Sequence, residues 1–415
     1  MSDISATLKK ALAFAVPREL ERANPEQTTI VVGMSGGVDS SVTAALLKER
    51  GFRVIGLFMK NWDDLAKNEG AGQNASEPTQ SECEAAADYD DVARVCETIG
   101  IPYFGVNFTK EYWDQVFQEF LRDYKSGFTP NPDVLCNREI KFKSFFEKIK
   151  ELGGQYLATG HYCQLEYHDH DAFLLKGADP GKDQSYFLSL VEAKTLRNVI
   201  FPIGHLLKSE VRSLAEHYGL ATKNKKDSTG ICFIGERKFP KFLADYIKPK
   251  KGPFKTLDET TVGTHQGVPF YTYGQRRGLG LGGQGERWFV VRKDVGRNVV
   301  YVERGENHPA LFCDDLELDE MHWIASPEEA NALQFPLKCK AKTRYRQDDQ
   351  DCVVELTAPG KFTVRFAQPQ RAVTERQALV LYLGERCLGG GPIRARGQTY
   401  FEKGLQLPKN STPEC

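Results

Sequence analysis

Ser35-Gly36-Gly37-Val38-Asp39-Ser40-Ser41 packs paired glycines, hydroxyls and a carboxylate into one short stretch. It follows the β-branched run Thr28 to Val32 and opens the apolar-periodic segment Val42-Thr43-Ala44-Ala45-Leu46-Leu47. That order reads as strand, tight turn and helix. Paired glycines let a backbone approach a ligand closely, and a helix start presents unpaired N–H groups with a partial positive charge. Ser35, Ser40 and Ser41 add donors at the same spot. The turn suits an anion, above all the phosphates of a nucleotide. The Gly-Lys-Ser/Thr ending of a Walker A loop is absent. Asp39 would either cap the helix or help to place magnesium.

Two further stretches carry reactive groups. In Thr129-Pro130-Asn131-Pro132-Asp133-Val134-Leu135-Cys136-Asn137-Arg138-Glu139-Ile140-Lys141-Phe142 the prolines forbid helix before Asp133, whereas Phe142, Phe145, Phe146 and Ile149 are spaced along a helix face. Cys136 thus falls at or near a helix start with Arg138 and Lys141 close by, a setting that lowers a thiol pKa. Asp133, three residues earlier, is placed to exchange protons with a substrate next to that thiol. In Asp227-Ser228-Thr229-Gly230-Ile231-Cys232-Phe233-Ile234-Gly235 a polar turn leads into an apolar run, with Cys232 beside the turn. Each cysteine alone also reads as a buried, inert one.

The elements that must position these groups alternate. Strands are expected at 28–33, Val54 to Met59, Tyr103 to Val106 and Tyr156 to Thr159, with helices at 40–50, Glu82 to Ile99 and Lys110 to about Tyr124 between them. This predicts an α/β domain built on a doubly wound parallel sheet, whose ligands bind beyond the carboxyl ends of the strands. Residues 1–27 read as a polar helical extension and 28–238 as the nucleotide-binding catalytic domain. Residues 65–80 read as a surface loop. Past Phe239 short alternating segments take over: Val262 to Gln266, Phe270 to Tyr273, Trp288 to Arg292 and Val299 to Val302 in a small middle module (239–308). Lys338 to Tyr345, Cys352 to Leu356, Phe362 to Phe366 and Ala378 to Leu383 follow in a C-terminal β-barrel (309–405), before a tail (406–415).

Composition bounds the rest. The 415 residues exceed one ordinary core, 40% hydrophobic and 27% charged content is that of a soluble protein, and no apolar run reaches membrane-spanning length. The N-terminus lacks a signal-peptide core, so the cytoplasm is expected. A formal net charge of −1 announces no nucleic-acid binder. Basic runs at Lys141 to Lys150, Lys223 to Lys226 and Lys248 to Lys255 read singly as solvated faces, and together would suffice as a phosphate-binding stripe. The ten cysteines include no CxxC pair, which argues against structural disulfides and zinc fingers.

Ser35-Gly36-Gly37-Val38-Asp39-Ser40 resembles the pyrophosphate loop of the N-type ATP pyrophosphatases. All three stretches in this order resemble the bacterial tRNA-specific 2-thiouridylases. Supporting matches are Leu57-Phe58-Met59-Lys60-Asn61-Trp62, Ala158-Thr159-Gly160-His161-Tyr162, Lys182-Asp183-Gln184-Ser185-Tyr186-Phe187-Leu188, Tyr273-Gly274-Gln275-Arg276-Arg277-Gly278-Leu279-Gly280 and Cys387-Leu388-Gly389-Gly390-Gly391. The resemblance covers about residues 28 to 395 and implies ATP-dependent sulfur transfer to the wobble uridine of a tRNA. Gly33, Met34, Ser35, Gly36, Gly37, Val38, Asp39 and Ser40 would bind ATP with its Mg2+, and Met59 and Gly160 would lie near the adenosine. Cys232 would carry sulfur as a persulfide received from a carrier protein, and Cys136 would either resolve it through a transient Cys136–Cys232 disulfide or help to release sulfide. Asn131, Pro132 and Asp133 would meet the target base, with Asp133 as acid/base. His161, Lys182, Asp183, Gln184, Arg344, Tyr345 and Gln377 would contact tRNA. One departure is visible: Glu375-Arg376-Gln377 stands where the family usually has Pro-Gly-Gln, so the turn before Gln377 must form without that glycine.

Three rival readings remain at this point. Asp133, Cys136 and Cys232 would equally ligate an iron–sulfur cluster with one open iron, although the persulfide is preferred. Another adenylating enzyme of the loop class, such as an amidating ligase, would leave both cysteines without a role and needs an ammonia source that nothing here resembles. A non-catalytic tRNA-binding protein would not need Asp39, Asp133, Cys136 and Cys232 together.

Overall fold

A computed structural model describes residues 2–62, 80–168, 171–227 and 239–408. The expected surface loop, apart from residue 80, and the Cys232 stretch beyond Asp227 lie outside the described residues.

The first half of the chain is organised around β1 (Thr29–Met34). Its side chains alternate between two cores, as the strand period of two requires. Ile30, Val32 and Met34 pack on one face with Val42, Leu46, Val92 and Val95, while Val31 packs on the other with Phe117, Ile140, Phe145 and Leu157. Ile30, Val31 and Val32 are fully buried, and each contributes about 1.5–3 kcal/mol. β2 (Arg53–Lys60), β3 (Tyr103–Asn107), β4 (Tyr156–Thr159) and a short strand Val199–Ile200 complete a parallel sheet. From one edge its order is β3, β2, β1, β4 and the Val199–Ile200 strand. The winding reverses between β1 and β4, which opens a crevice beyond their carboxyl ends.

Helices cover both faces. α1 (Ser2–Ala11), α2 (Val38–Glu49), α3 (Gln80–Ile99) and Lys208–His217 lie on one face, and α4 (109–125) and α5 (132–151) on the other. α4 and α5 each contain a π-helical stretch, Trp113–Phe117 and Cys136–Ser144, and in α5 the widened turns carry the reactive motif. The N-terminal extension is less polar in practice than its composition suggests. Ala11, Phe14, Val16 and Leu20 are buried in the sheet's core, and Lys10 pairs with Glu210 at 2.7 Å.

The middle module is a four-stranded sheet of Gly252–Lys255, Thr261–His265, Trp288–Asp294 and Val299–Arg304. The strand expected at Phe270 to Tyr273 is instead a 3₁₀ turn over Val268–Phe270 followed by irregular chain. Pro269 removes a ladder donor there, and Gly267 bends the chain at φ 137°. The C-terminal module is a closed barrel of six antiparallel strands, in which Arg386–Arg396 pairs back to Phe312–Leu318. Leu316, Val354, Val364, Leu379, Leu381 and Ile393 fill it.

One hairpin crosses between modules. Cys163–Tyr167 and Ala172–Lys176 pair with each other, and Leu175 then pairs with Arg386 of the barrel. Beneath the junction Lys176, Lys342 and Asp349, each partly buried, form an ion group with the buried Asp183. Among the described residues no helix is long and apolar enough to cross a membrane.

Candidate active site

The Gly-rich turn lies at the mouth of the crevice. Gly37 caps α2 without any side-chain hydrogen bond, so the first N–H groups of the helix are open to a ligand. The serines shape the turn: the Ser35 amide donates to Ser40 Oγ at 3.2 Å, and the Ser40 and Ser41 hydroxyls turn back to the Gly37 carbonyl. Gly36 is required in two ways. Its φ of +70° is a left-handed conformation, and a Cβ there would lie 2.6 Å from the Asp88 carbonyl. Gly160, after β4, is required for closeness alone, because a Cβ would meet the Ser40 amide at 2.7 Å.

Asp39 neither caps the helix nor stands alone. It accepts two hydrogen bonds from Lys208, at 2.7 and 2.9 Å, and one from the Tyr162 hydroxyl at 2.8 Å. Lys208 also reaches Asp227 at 2.9 Å, where Lys182 and Arg212 converge at 2.5 and 2.8 Å. Burial opposes ionisation of Asp227, but the bonds from Lys182 and Lys208 win and hold its pKa at about 2. Lys225 donates to the Gly36 carbonyl at 3.0 Å and to Asp88 and Asp91 at 2.7 and 2.6 Å. The turn is therefore ringed by cations, each held by an internal carboxylate.

Across a cleft of about 750 Å³ stands the loop before α5. Gly127 to Asp133 is gripped from three sides. Lys293 of the middle module donates to the Gly127 carbonyl at 2.5 Å, and Thr272 meets Thr129 at 3.1 Å between hydroxyls. Gln377 of the barrel donates to the Thr129 carbonyl at 2.6 Å. The Asn131 side chain bonds the Tyr186 hydroxyl, which donates in turn to the Ala378 carbonyl. The missing glycine is met by strain, since Arg376 itself adopts φ 68°. Its guanidinium lies 3.7 Å from Asp123 and 5.5 Å from the Phe128 ring centre.

The cleft wall brings together Ser35, Gly37, Val38, Asp39, Asn131, Pro132, Asp133, His161, Lys182, Gln184, Tyr345 and Gln377. Gly33, Met34, Gly36, Ser40 and Gly160 lie behind the turn and shape it, and Met59 is half-buried against the core. Asp183 points inward, accepting from the Gly177 and Ser185 amides at 3.0 Å each, and so fixes the bend that presents Lys182 and Gln184. Arg344 is exposed on the 343–349 turn, and from that turn Tyr345 and Arg346 reach the cleft. Cys136 is 2% exposed among Val134, Ile140 and other core residues, and Cys232 lies outside the described residues. His161 receives or donates one bond with Thr159 at 2.8 Å. Burial and then Lys141 push its pKa well below the usual value, so it is neutral at pH 7.

The family models separate the chain into a tRNA methyl transferase HUP domain (28–236), a tRNA methyl transferase PRC-barrel domain (240–304) and an aminomethyltransferase β-barrel domain (313–393). The tRNA-specific 2-thiouridylase MnmA of Protochlamydia amoebophila is 52% identical over 386 residues, 93% of this chain and 98% of that one. The chain belongs to the tRNA-specific 2-thiouridylase family. The 2-thiouridylase MnmA of Halalkalibacterium halodurans is likewise 52% identical, over 90% of this chain and 96% of its own length. Among solved structures, NMN synthetase from Francisella tularensis aligns at TM-score 0.33 and 14% identity, over 54% of this chain and 75% of that one.

Tyr162, Lys208, Arg212, Lys225 and Asp227 also surround the Gly-rich turn, although no motif marks them as its neighbours. Lys225 lies within the basic run Lys223 to Lys226, and Asp227 opens the Cys232 stretch. Lys208 and Arg212 sit on an ordinary amphipathic helix and gave no signal. The fold alone carries them to the turn.

Proposed function

We propose that the protein converts the wobble uridine of tRNA to 2-thiouridine, spending ATP as AMP and pyrophosphate. The observation that carries this is one cleft with an uncapped, cation-ringed helix start on one wall and the Asn131–Asp133 loop on the other. A uracil 2-carbonyl resists substitution until its oxygen becomes a good leaving group. Its O2 attacks the α-phosphorus of ATP, pyrophosphate departs, and Asp133 accepts the N3 proton. The α2 N-terminus, with Lys208 and Lys225, binds the phosphates by exchanging internal carboxylates for phosphate oxygens. Asp39 is a hard oxygen donor suited to the Mg2+ that accompanies ATP, and the ion would neutralise phosphate charge. Lys208 holds that carboxylate until a phosphate draws the lysine away.

Sulfur arrives on Cys232 as a persulfide from a carrier protein. Its terminal sulfur attacks C2, the Cys136 thiolate attacks Cys232 Sγ, and the S–S bond to the substrate breaks. AMP leaves, Asp133 returns its proton to N3, and a Cys136–Cys232 disulfide remains to be reduced. The base must leave its stack to enter the cleft, and an anticodon loop permits that at low cost. The exposed Arg344 and the cleft-lining Tyr345, His161, Lys182 and Gln184 would hold the flanking RNA.

The test is ATP-dependent transfer of radiolabelled sulfur to unmodified tRNA by anaerobically purified, metal-free protein. Transfer under these conditions supports the persulfide route. Transfer only after iron and sulfide are restored assigns Asp133, Cys136 and Cys232 to a cluster. No transfer in either case refutes the reading.

A further inference from the structure

Two thiols that the reaction above leaves unused meet inside the C-terminal barrel. Cys339 lies on the strand Leu337–Lys342 and Cys352 on its antiparallel neighbour Gln350–Ala358, and the two are direct register partners. Both pack in the barrel core with Ala341, Val354 and Leu381. Their sulfurs stand 3.7 Å apart. Facing residues of an antiparallel pair have Cα atoms about 4.5–5.5 Å apart, inside the range of about 4.4–6.8 Å that a disulfide spans. Side-chain rotation therefore brings the sulfurs to the bonding distance of about 2 Å with the backbone in place. Cys339 is 9% exposed and Cys352 5%. The hydrogen bond that they share, and then burial, raise the Cys352 thiol far above its ordinary pKa. Cys339 is thus the sulfur that a small oxidant meets first.

Position gives such a bond a consequence. Between the two cysteines the chain turns at residues 343–349, and Tyr345 and Arg346 of that turn border the cleft. A bond at the foot of this hairpin closes the turn into a covalent ring and removes open conformations from it. We propose that Cys339 and Cys352 form a redox modification site, which a hydroperoxide converts to a cross-strand disulfide that locks the 343–349 turn. Cys339 Sγ attacks one peroxide oxygen, the O–O bond breaks, and Cys339 becomes a sulfenic acid as water or an alcohol leaves. Cys352 Sγ then attacks the Cys339 sulfur, the S–O bond breaks, and the departing hydroxide takes the Cys352 proton as water. The two thiols give up two electrons and two protons, and the peroxide receives them. Exchange with a small dithiol restores the pair. The inference is independent of the thiolation reading, because it uses neither Cys136 nor Cys232.

The experiment exposes the full, reduced chain to graded hydrogen peroxide, blocks the remaining thiols with iodoacetamide in denaturant and maps the cysteine peptides by mass spectrometry. The expected product is a linked pair carrying Cys339 and Cys352, two hydrogens lighter than the reduced peptides. It should form at doses that leave the buried Cys96 and Cys313 unchanged. Cys339 and Cys352 recovered as alkylated thiols after Cys96 and Cys313 have oxidised overturns the assignment. Cys339 recovered as a sulfinic acid, or linked to another cysteine, does the same. Amide exchange reads the lock: residues 343–349 should exchange about fivefold or more slowly in the oxidised protein, and the slowing should vanish on reduction with dithiothreitol. Cys352→Ser should show no slowing under peroxide. Equal exchange in the oxidised and reduced wild type overturns the lock. The peptide map on wild-type protein decides the bond even where Cys352→Ser fails to fold.

Discussion

Lys293 offers a quantitative test of how the middle module is joined to the catalytic domain. Its ammonium is buried against the Gly127 and Tyr271 carbonyls, at 2.5 and 3.1 Å, with the Tyr273 ring centre 5.1 Å away. Among the described residues no carboxylate bonds it, and burial outweighs the distant pull of Glu375 to lower its pKa from 10.5 to about 8. Between those values the unfolded chain holds a proton that the folded chain has released, so stability rises with pH across the window. The gap is worth about 3 kcal/mol, a penalty fully present below pH 8 and gone above pH 10.5. Lys293→Met keeps the length of the side chain and removes the titration. Urea unfolding of both proteins at pH 7 and pH 10 isolates the effect, because other titrating groups cancel in the difference. The stability of wild type minus that of Lys293→Met should rise by about 2.5 kcal/mol from pH 7 to pH 10. A difference that stays flat within about 0.5 kcal/mol would refute the burial of a charged amine at this junction.

Gly36→Ala should weaken ATP binding at least tenfold by calorimetry, because neither its φ nor the Asp88 carbonyl leaves room for a methyl group. Unchanged affinity would mean that the turn is not the phosphate site. Arg376→Gly removes left-handed strain worth about 1–2 kcal/mol and loses the pair with Asp123, so urea stability should move by less than about 1 kcal/mol with thiolation retained. Arg376→Val, β-branched at the same φ, should cost more than 1 kcal/mol and slow thiolation through Gln377. Cys232→Ser should abolish thiolation while ATP and tRNA binding stay near normal, and retained thiolation would remove it as the sulfur carrier.

Local patterns were legible, and tertiary meetings were not. Thr28 to Val32 and Tyr156 to Thr159 announced strands because β-branched and aromatic runs between turn residues have few other uses. The open helix start after Gly37 was readable because paired glycines lead into an apolar-periodic run. Phe270 to Tyr273 misled because aromatic content imitates a strand, while Pro269 and Gly267 decide the backbone. Lys208, Lys225 and Lys293 could not be singled out, since their neighbours at the site lie far off in the chain: Asp39, Gly36 and Gly127. The pairing of Leu175 with Arg386 joins positions more than two hundred residues apart, which no local window samples. Asp183 kept its expected place in a functional segment, yet its carboxylate serves the segment's bend from within.

The hairpin of Cys163–Tyr167 and Ala172–Lys176 limits how this chain can be cut. A fragment ending at residue 238 would contain every nucleotide and sulfur residue proposed here. It would also present the outer edge of Ala172–Lys176 without Arg386, and leave Lys176 and Asp183 without Asp349 and Lys342. A bare strand edge beside unpaired charges invites self-association. Expression of residues up to 238 alone is thus expected to yield aggregates, because the barrel covers a strand edge and charges that this half cannot cover itself.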